Sequence, residues 1–405
     1  MLRPDAHRCV DSLKDTGGPQ PLLGCASCAD RAICGELHLQ NTGSMVLSCM
    51  EHCTCADPTK CDVVCPTNAE HFVRRFHEVD GWDLDTIPRA RDLELPKLPD
   101  WMPLLQGNLG GSRCLSEPTV ALPLTYALLG TGKTVRGRTA EELRRAYGAR
   151  PSHGWVLSGT EDDPAVERMW SLPDLSRVAR QLVHAGVLLA TTPNFSLLVD
   201  TPRHDNFHAM KRIAWAWFRM TQGGLCTALH LNARTDHDFA RWIRFVKDRP
   251  EVKAVAFEFL TGSATNASAQ LYVQRLTRFA QEVGRPITLV IRGRAALAEQ
   301  LAGVFSQIVL IDSSPYMRAT KRRRASIGSA GTLSHTFAPT TERSQVRALL
   351  QHNIRIHRAH ALGAPVDRFS RSPQQELDLR PRPPDVHAHD ESPQMALFPN
   401  QAADV

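Results

Sequence analysis

Between residues 118 and 315 the chain alternates short apolar runs with amphipathic segments of helical length. Seven runs recur at spacings of 21 to 39 residues, which leaves room for a helix between consecutive runs. Apolar runs without a polar face predict strands buried on both sides, and strands that alternate with helices pair in parallel. The runs begin near Thr119, Gly154, Val187, Cys226, Lys253, Pro286 and Gln307.

Seven strand and helix units predict an α/β fold, and within that class a parallel (β/α) barrel or a partial barrel. An open doubly wound sheet is the alternative, because it is assembled from the same units. The helices between the strands are predicted at 139–148, 164–185, 204–222, 236–248, 266–284 and 295–305.

Composition divides the chain into five parts. Residues 1–82 form a cysteine-rich segment, and residues 83–117, rich in Pro and Gly, predict a linker. Residues 118–325 carry the barrel-like domain, and residues 326–363 contain one amphipathic helix that packs on it. Residues 364–405 predict a disordered tail, because seven prolines and few large apolar side chains do not build a core.

Overall composition excludes two classes of protein. With 42% apolar and 22% charged residues, the chain is not disordered throughout, and a net charge of +6 is too small for a strongly cationic coat. No stretch of 18 apolar residues is present, so no membrane span is expected. The first residues lack the apolar core of a secretion signal, which predicts a cytoplasmic location.

Eight of the 11 cysteines lie within the 41 residues from 25 to 65. Because the cytosol keeps thiols reduced, cysteines at this density favour metal ligation over disulfides. The candidate ligands are Cys25, Cys28, Cys34, Cys49, Cys53, Cys55, Cys61 and Cys65. Eight thiolates would suffice for two four-cysteine sites.

The cysteine spacing favours an iron–sulfur cluster over zinc. Structural zinc sites use paired C-x2–4-C knuckles, whereas the triplet from Cys25 to Cys34 has the spacing C-x2-C-x5-C. This triplet resembles the [4Fe–4S] segments of RecB-like exonucleases and of auxiliary domains in some radical enzymes. Cys65-Pro66 resembles the end of a bacterial ferredoxin segment. Zinc remains the alternative, and either metal would serve as a structural staple or as a redox or catalytic centre.

Polar residues lie at or just after the ends of several predicted strands. The carboxyl ends of parallel strands meet at one rim, where barrels and open sheets carry their chemistry. His, Glu and Asp suit proton transfer, and Arg suits an anionic group. The candidates are His230, Glu258 and Asp312 as catalytic residues, with Asn194, Asn232 and Arg292 as substrate-binding residues. The alternative is a buried Glu–Arg pair with a hydrogen-bonded His that closes the barrel without chemistry.

The stretch TTPNFSLLVDTPRHDNFHAMKR at 191–212, followed by His230-Leu-Asn-Ala-Arg234, resembles a bacterial and phage family catalogued as domain of unknown function 4417. The resemblance covers about residues 185–315, a third of the chain. It implies a barrel-like α/β domain and a phage or mobile-element context, and it assigns no activity to any residue.

Three functions remain open at this point. The first is an enzyme with a barrel-top site for a small anionic or nucleotide-like substrate, carrying the metal module. The second is a nucleic-acid-associated protein whose metal module and basic run, Arg318 with residues 321–324, grip phosphates, although such a run is often only a solvated helix end. The third is an atypical radical S-adenosylmethionine enzyme, for which the triplet from Cys49 to Cys55 is one residue short of C-x3-C-x2-C.

Overall fold

The computed structural model describes residues 75–107, 115, 117–131, 134–148, 153–198, 203–260, 266–340 and 342–364. The predicted metal ligands and the predicted tail from 365 onward lie outside these residues. Within the described ranges, no helix has both the length and the apolar character that crossing a membrane requires.

Eight strands form one parallel sheet that curls into a nearly closed barrel. The described residues contain twelve strands in all: β1 Trp101–Pro103, β2 Thr119–Pro123, β3 Leu128–Leu129, β4 Arg136–Gly137, β5 Gly154–Ser158, β6 Val187–Thr191, β7 Thr227–His230, β8 Ala254–Phe259, β9 Thr288–Gly293, β10 Gln307–Asp312, β11 Arg323–Ile327 and β12 Leu333–Phe337. β3 with β4 and β11 with β12 form separate antiparallel pairs, and the other eight build the barrel. The N–H of Leu105 donates to the carbonyl oxygen of Ala121 at 2.9 Å, which brings β1 back to β2. The predicted parallel (β/α) barrel is confirmed, and the open sheet is excluded.

Helices surround the barrel. They are α1 Ala140–Tyr147, α2 Asp163–Trp170, α3 Leu175–His184, α4 Arg203–Gln222, α5 Asp236–Lys247, α6 Asn266–Val283, α7 Ala295–Leu301, α8 Ser314–Thr320 and α9 Arg343–Ala361. The single helix predicted at 164–185 is two helices. Pro173 has no backbone N–H, and Asp174 caps α3 by accepting from the N–H of Arg177 at 2.8 Å, so a new helix begins there.

The segment 83–117, predicted as a linker, contributes a strand to the barrel. β1 pairs with β10 in parallel, with Met102 opposite Ile311. The strand has only three residues and ends at Pro103. So short a run shows no periodicity, and the prolines around it point to a loop, which is why the sequence pattern did not reveal it.

The core has two layers separated by the sheet. Bulky side chains such as Trp155, Trp217 and Phe279 fill the space between the sheet and the helices. The barrel interior is lined by smaller side chains: Met102, Leu104, Ala121, Val156, Leu189, Ala228, Ala254, Ala256, Val290, Val309 and Ile311. This alternation along each strand defines which residues face inward.

Residues 75–87 lead into the barrel along its outer layer. Lys211 on α4 has a relative exposure of 0%, and its ammonium donates to the carbonyl oxygen of Asp83 and to Thr86 Oγ1. A buried ammonium is tolerated only when its protons are bound. Lys211 therefore attaches the chain that follows the cysteine-rich region to helix α4.

Beyond β10, the helix α8, the strand β11 and the helix α9 pack on one another, β12 pairs with β11, and the two helices also pack against β1. α9 is the helix predicted within 326–363, and it buries Val346, Leu350 and Ile354 as its apolar face.

Candidate active site at the carboxyl ends of the strands

Strand register places five polar side chains on the inner face of the barrel near its carboxyl rim. Ala256 belongs to the barrel interior and lies opposite His230 on β7. Glu258 is two residues further along β8 and lies opposite Arg292 on β9, so both face inward. We call this set the inner polar ring: Ser158, Thr191, His230, Glu258 and Arg292.

His230 is held as a neutral imidazole inside the ring. Its side chain is almost fully buried, and Nδ1 lies 2.9 Å from the carbonyl oxygen of Thr192. A carbonyl oxygen only accepts, so Nδ1 carries the proton and Nε2 keeps its lone pair, 3.3 Å from Thr160 Oγ1. Burial lowers the pKa of His230 to about 4, and the charge of Arg292 acts in the same direction.

Glu258 is a carboxyl group with a raised pKa. Burial raises its pKa, against the opposing effects of the Arg292 charge and of hydrogen bonds from Thr160 and Asn194. Its Oε2 is buried and has no hydrogen-bond partner. A carboxyl in this condition is a better proton donor or acceptor near neutral pH than an exposed one.

Arg292 reaches across the barrel to the end of β5. Its Nη1 donates to the carbonyl oxygen of Thr160 and lies 3.5 Å from Ser158 Oγ. Its Nε is buried and unpartnered. Burial lowers the pKa of Arg292 while the charge of Glu258 raises it, and a guanidinium stays protonated under such opposing effects.

A glycine allows the ends of β5 and β6 to approach each other. A Cβ on Gly159 would lie 2.1 Å from the carbonyl oxygen of Thr192, so no other residue fits. The Gly159 N–H donates to Thr191 Oγ1 at 2.8 Å, and its carbonyl oxygen accepts from the N–H of Asn194 at 2.9 Å. This arrangement puts Asn194 beside the inner polar ring, where its Oδ1 is buried without a partner.

Asn232 follows β7, two residues after His230, and its side chain makes a structural contact. Its Nδ2 donates to the carbonyl oxygen of Phe195 at 2.7 Å. Asn232 thus holds the loop that follows β6, the loop that carries Asn194.

Asp312 does not join the group. The inward residue at this level of β10 is Ile311, which lies opposite Arg292. Asp312 is the next residue along β10, so its side chain points away from the barrel interior. Its carboxylate accepts from the N–H of Ser314 at 2.8 Å and contacts His357 Nδ1 on α9 at 3.2 Å. Burial alone would raise the pKa of Asp312, but its hydrogen bonds with His357 and Ser314 lower it.

Two rim residues were not among the candidates. Thr160 contacts His230, Glu258 and Arg292. Glu161 accepts from the N–H of Thr125 at 2.8 Å, and burial raises its pKa. Both residues lie just after the apolar run of β5. They therefore meet the criterion by which Glu258 and Arg292 were predicted, a polar residue at or just after the end of a strand.

The described residues contain no group of three or more His, Cys, Asp or Glu side chains placed to hold a metal ion. The inner polar ring offers a neutral imidazole, a carboxyl with a raised pKa and a guanidinium. This set suits proton transfer next to an anionic group.

No protein-family model matches the chain, and a search of curated proteins returned no match. The resemblance over about residues 185–315 stays a prediction, and the chemistry of the site has to be argued from its own residues.

Proposed function

We propose that the chain is an enzyme that transfers a proton on a small anionic or nucleotide-like substrate bound at the inner polar ring. One observation carries the proposal. Glu258 Oε2, Arg292 Nε and Asn194 Oδ1, from three different strand ends, are buried without hydrogen-bond partners in the described part of the chain. Buried polar atoms are almost always paired, and although unpartnered Arg Nε atoms also occur elsewhere in the described residues, the two unpartnered oxygens of Glu258 and Asn194 call for a ligand that donates to them.

The chemistry of each side chain supports a role for it in binding the substrate or in moving the proton. Arg292 binds the phosphate or carboxylate of the substrate, since its guanidinium is charged and presents several donors. Glu258 gives or takes the proton, because its raised pKa brings it toward working pH. His230 stays neutral and accepts a hydrogen bond through Nε2, and Asn194 orients the substrate through Oδ1.

We further propose that the cysteines between Cys25 and Cys65 bind a metal centre, an iron–sulfur cluster in preference to zinc. Their number and their C-x2-C-x5-C spacing support this assignment. When bound, the centre would supply folding free energy to a segment poor in large apolar residues, or a redox centre separate from the proton transfer.

A ligand screen by melting temperature tests the enzyme proposal. A set of small phosphates, nucleotides and carboxylates is tested for a rise in melting temperature, because a ligand that binds only the folded state stabilises it. We expect hits that Arg292→Gln loses, and turnover of a hit that Glu258→Gln loses. Glu282→Gln, the same change on the exposed pair with Arg278 on α6, is the control. A hit that binds Arg292→Gln as tightly as the unmodified chain contradicts the assignment.

A further inference from the structure

The positive charge of the chain is concentrated after β10. Residues 313–364 contain nine Lys and Arg side chains and a single acidic one, Glu342, which gives +8 for a chain whose total is +6. The rest of the chain is therefore slightly acidic. A local excess of this size attracts polyanions, which the total charge does not reveal.

Two of these basic side chains, Arg323 and Arg324, lie on the hairpin β11–β12, which is bonded to α9. Asn353 on α9 has a relative exposure of 0%, accepts from the N–H of Ala325 at 2.8 Å and donates to the carbonyl oxygen of Arg323 at 2.8 Å. His352 donates to the carbonyl oxygen of Ala325 at 2.8 Å. These bonds fix the edge of β11 on α9, so the residues on the hairpin are held in place before any partner arrives.

We call a set of exposed residues along α8 and the hairpin the basic ribbon: Arg318 on α8, Lys321 just after it, Arg323 and Arg324 at the start of β11, and Phe337 at the end of β12. Arg323 shares a face of the hairpin with Phe337, and Arg324 points to the other face. Within the part of the chain that the structure describes, none of its four cations forms an ion pair. By contrast, two exposed arginines on helices are paired with a neighbour one turn away, in the Glu141–Arg145 and Arg278–Glu282 pairs.

The field at the ribbon is positive enough to affect a neighbouring histidine. Burial lowers the pKa of His335 on β12, and the charges of Arg318 and Arg323 lower it further. His335 Nε2 lies 3.1 Å from His357 Nε2, a spacing that two metal ligands could also adopt. The carboxylate of Asp312, which lies 3.2 Å from His357 Nδ1, acts on His335 in the opposite direction.

An aromatic ring lies opposite one of the cations. Phe337 has a relative exposure of 65% and is the register partner of Arg323 across the hairpin. Register partners share a face with their Cβ atoms about 5 Å apart. An exposed phenyl ring costs solvation free energy in water unless a partner covers it, and a nucleobase is a flat surface that stacks on it while cations bind the flanking phosphates.

We propose that the basic ribbon binds single-stranded nucleic acid, with Arg318, Lys321, Arg323 and Arg324 on phosphates and Phe337 under a base. An acidic peptide would satisfy the cations but offers no repeated flat rings for Phe337. A duplex would satisfy the cations but keeps its bases stacked inside. The ribbon shares no residue with the inner polar ring, so this proposal does not depend on the barrel chemistry.

Fluorescence anisotropy of the full chain with a labelled oligothymidine of about 20 nucleotides tests the proposal, at salt from about 50 to 200 mM. We expect affinity to fall with salt at a log–log slope of about −0.7 per phosphate contacted. Arg323→Ala with Arg324→Ala should weaken binding by about tenfold or more, in line with the loss of two phosphate contacts. Phe337→Ala should weaken binding to the single strand by about 5- to 150-fold, and to a duplex of the same length much less.

The matched control is the pair Arg145→Ala and Arg278→Ala, which removes two exposed arginines outside the ribbon. Melting temperatures of all variants establish that they are folded, and the ribbon side chains are exposed enough to be removed without damage to the core. Ribbon variants that bind oligothymidine as tightly as this control overturn the proposal. Equal affinity of the unmodified chain for polyglutamate, for anionic vesicles or for duplex also overturns it.

Discussion

Glu258 and Arg292 face each other across β8 and β9 without closing into a hydrogen-bonded pair. They are register partners, yet Arg292 Nη1 donates to the carbonyl oxygen of Thr160, and Glu258 Oε2 has no partner. A pair that served only to close the barrel would satisfy its own oxygens first. Because the two side chains are not hydrogen-bonded to each other, the change in the free energy of unfolding when one is replaced can tell a structural pair from a functional one.

Glu258→Gln should leave the folded state almost as stable as before. Breaking a true buried ion pair costs about 3–5 kcal/mol, because one charge stays buried alone. Here Arg292 keeps its bond to Thr160, so we expect the free energy of unfolding in urea to change by less than about 1 kcal/mol, the size of one hydrogen bond. Glu282→Gln on the surface of α6 sets the background. A loss of about 3 kcal/mol or more would identify the pair as structural.

His230 should make the chain less stable in acid. Its pKa is about 4 in the folded state and about 6.5 in an unfolded chain, so the unfolded chain binds more protons between these values. The free energy of unfolding then falls as pH falls from about 6.5 to 4, by up to about 1.4 kcal/mol per pH unit for one histidine. His230→Asn should flatten this dependence in urea unfolding series at several pH values.

His208 on α4 needs separate treatment in that experiment. Burial lowers its pKa to about 4 as well, although Glu78 Oε2 lies 2.9 Å from its Nε2. His208 therefore also contributes to the fall in the free energy of unfolding between about pH 6.5 and pH 4. His208→Asn should reduce this fall by a similar amount. His77→Asn, at an exposed position, serves as the control. A slope that His230→Asn leaves as steep as this control would show that His230 is not buried as a neutral imidazole.

The barrel was predictable because its strands are buried on both faces. The apolar runs near Lys253 and Pro286 became β8 and β9, which begin at Ala254 and Thr288. A strand covered by helices on one side and by the barrel interior on the other has to be continuously apolar. β1 was not predicted, because three residues that end in proline are too short to show a continuous apolar run.

The site was only partly predictable, for a different reason. Polar residues at strand ends led to Glu258 and Arg292, but the pattern did not decide which face each residue takes. Asp312 is one position out of phase with Arg292 and turns to His357 on α9. Only the strand register settles this point, and register depends on contacts between residues distant in the chain.

Gly159→Ala should destabilise the fold through the carboxyl rim. The added methyl group would meet the backbone oxygen of Thr192 at 2.1 Å, and a backbone cannot move aside as a flexible side chain can. We expect a loss of about 2 kcal/mol or more in the free energy of unfolding, as for overpacked cores. Gly328→Ala is the control, because its nearest neighbour is the Thr332 hydroxyl at 3.3 Å. Equal stability of the two variants would contradict the close approach of β5 and β6.

Lys211→Met should loosen residues 75–87 from α4. The methionine has a similar length but no protons for the Asp83 carbonyl oxygen and Thr86 Oγ1, so both acceptors lose the charged donor. A hydrogen bond to a charged group contributes about 1.5–3 kcal/mol. Hydrogen exchange of the amides at 75–87 should accelerate relative to Lys247→Met, the same change at an exposed position on α5. Unchanged exchange would mean that Lys211 does not hold this segment.

Serine substitutions should distinguish metal-ligating cysteines from ordinary ones. The full chain, purified without oxygen, is expected to contain about three or more irons or, on the alternative, about one zinc. Cys25→Ser with Cys28→Ser should lower the metal content, because the hydroxyl is a far weaker ligand for soft cations than thiolate. Cys226→Ser is the control, since Cys226 is a free cysteine whose Sγ contacts the Glu94 carbonyl oxygen at 3.2 Å and whose pKa is raised by burial to about 11. An iron–sulfur cluster gives the purified protein visible absorption. If this absorption is lost in the double variant and kept in Cys226→Ser, the cluster is bound by the N-terminal cysteines. Protein with less metal than these amounts, or equal metal in both variants, contradicts the assignment.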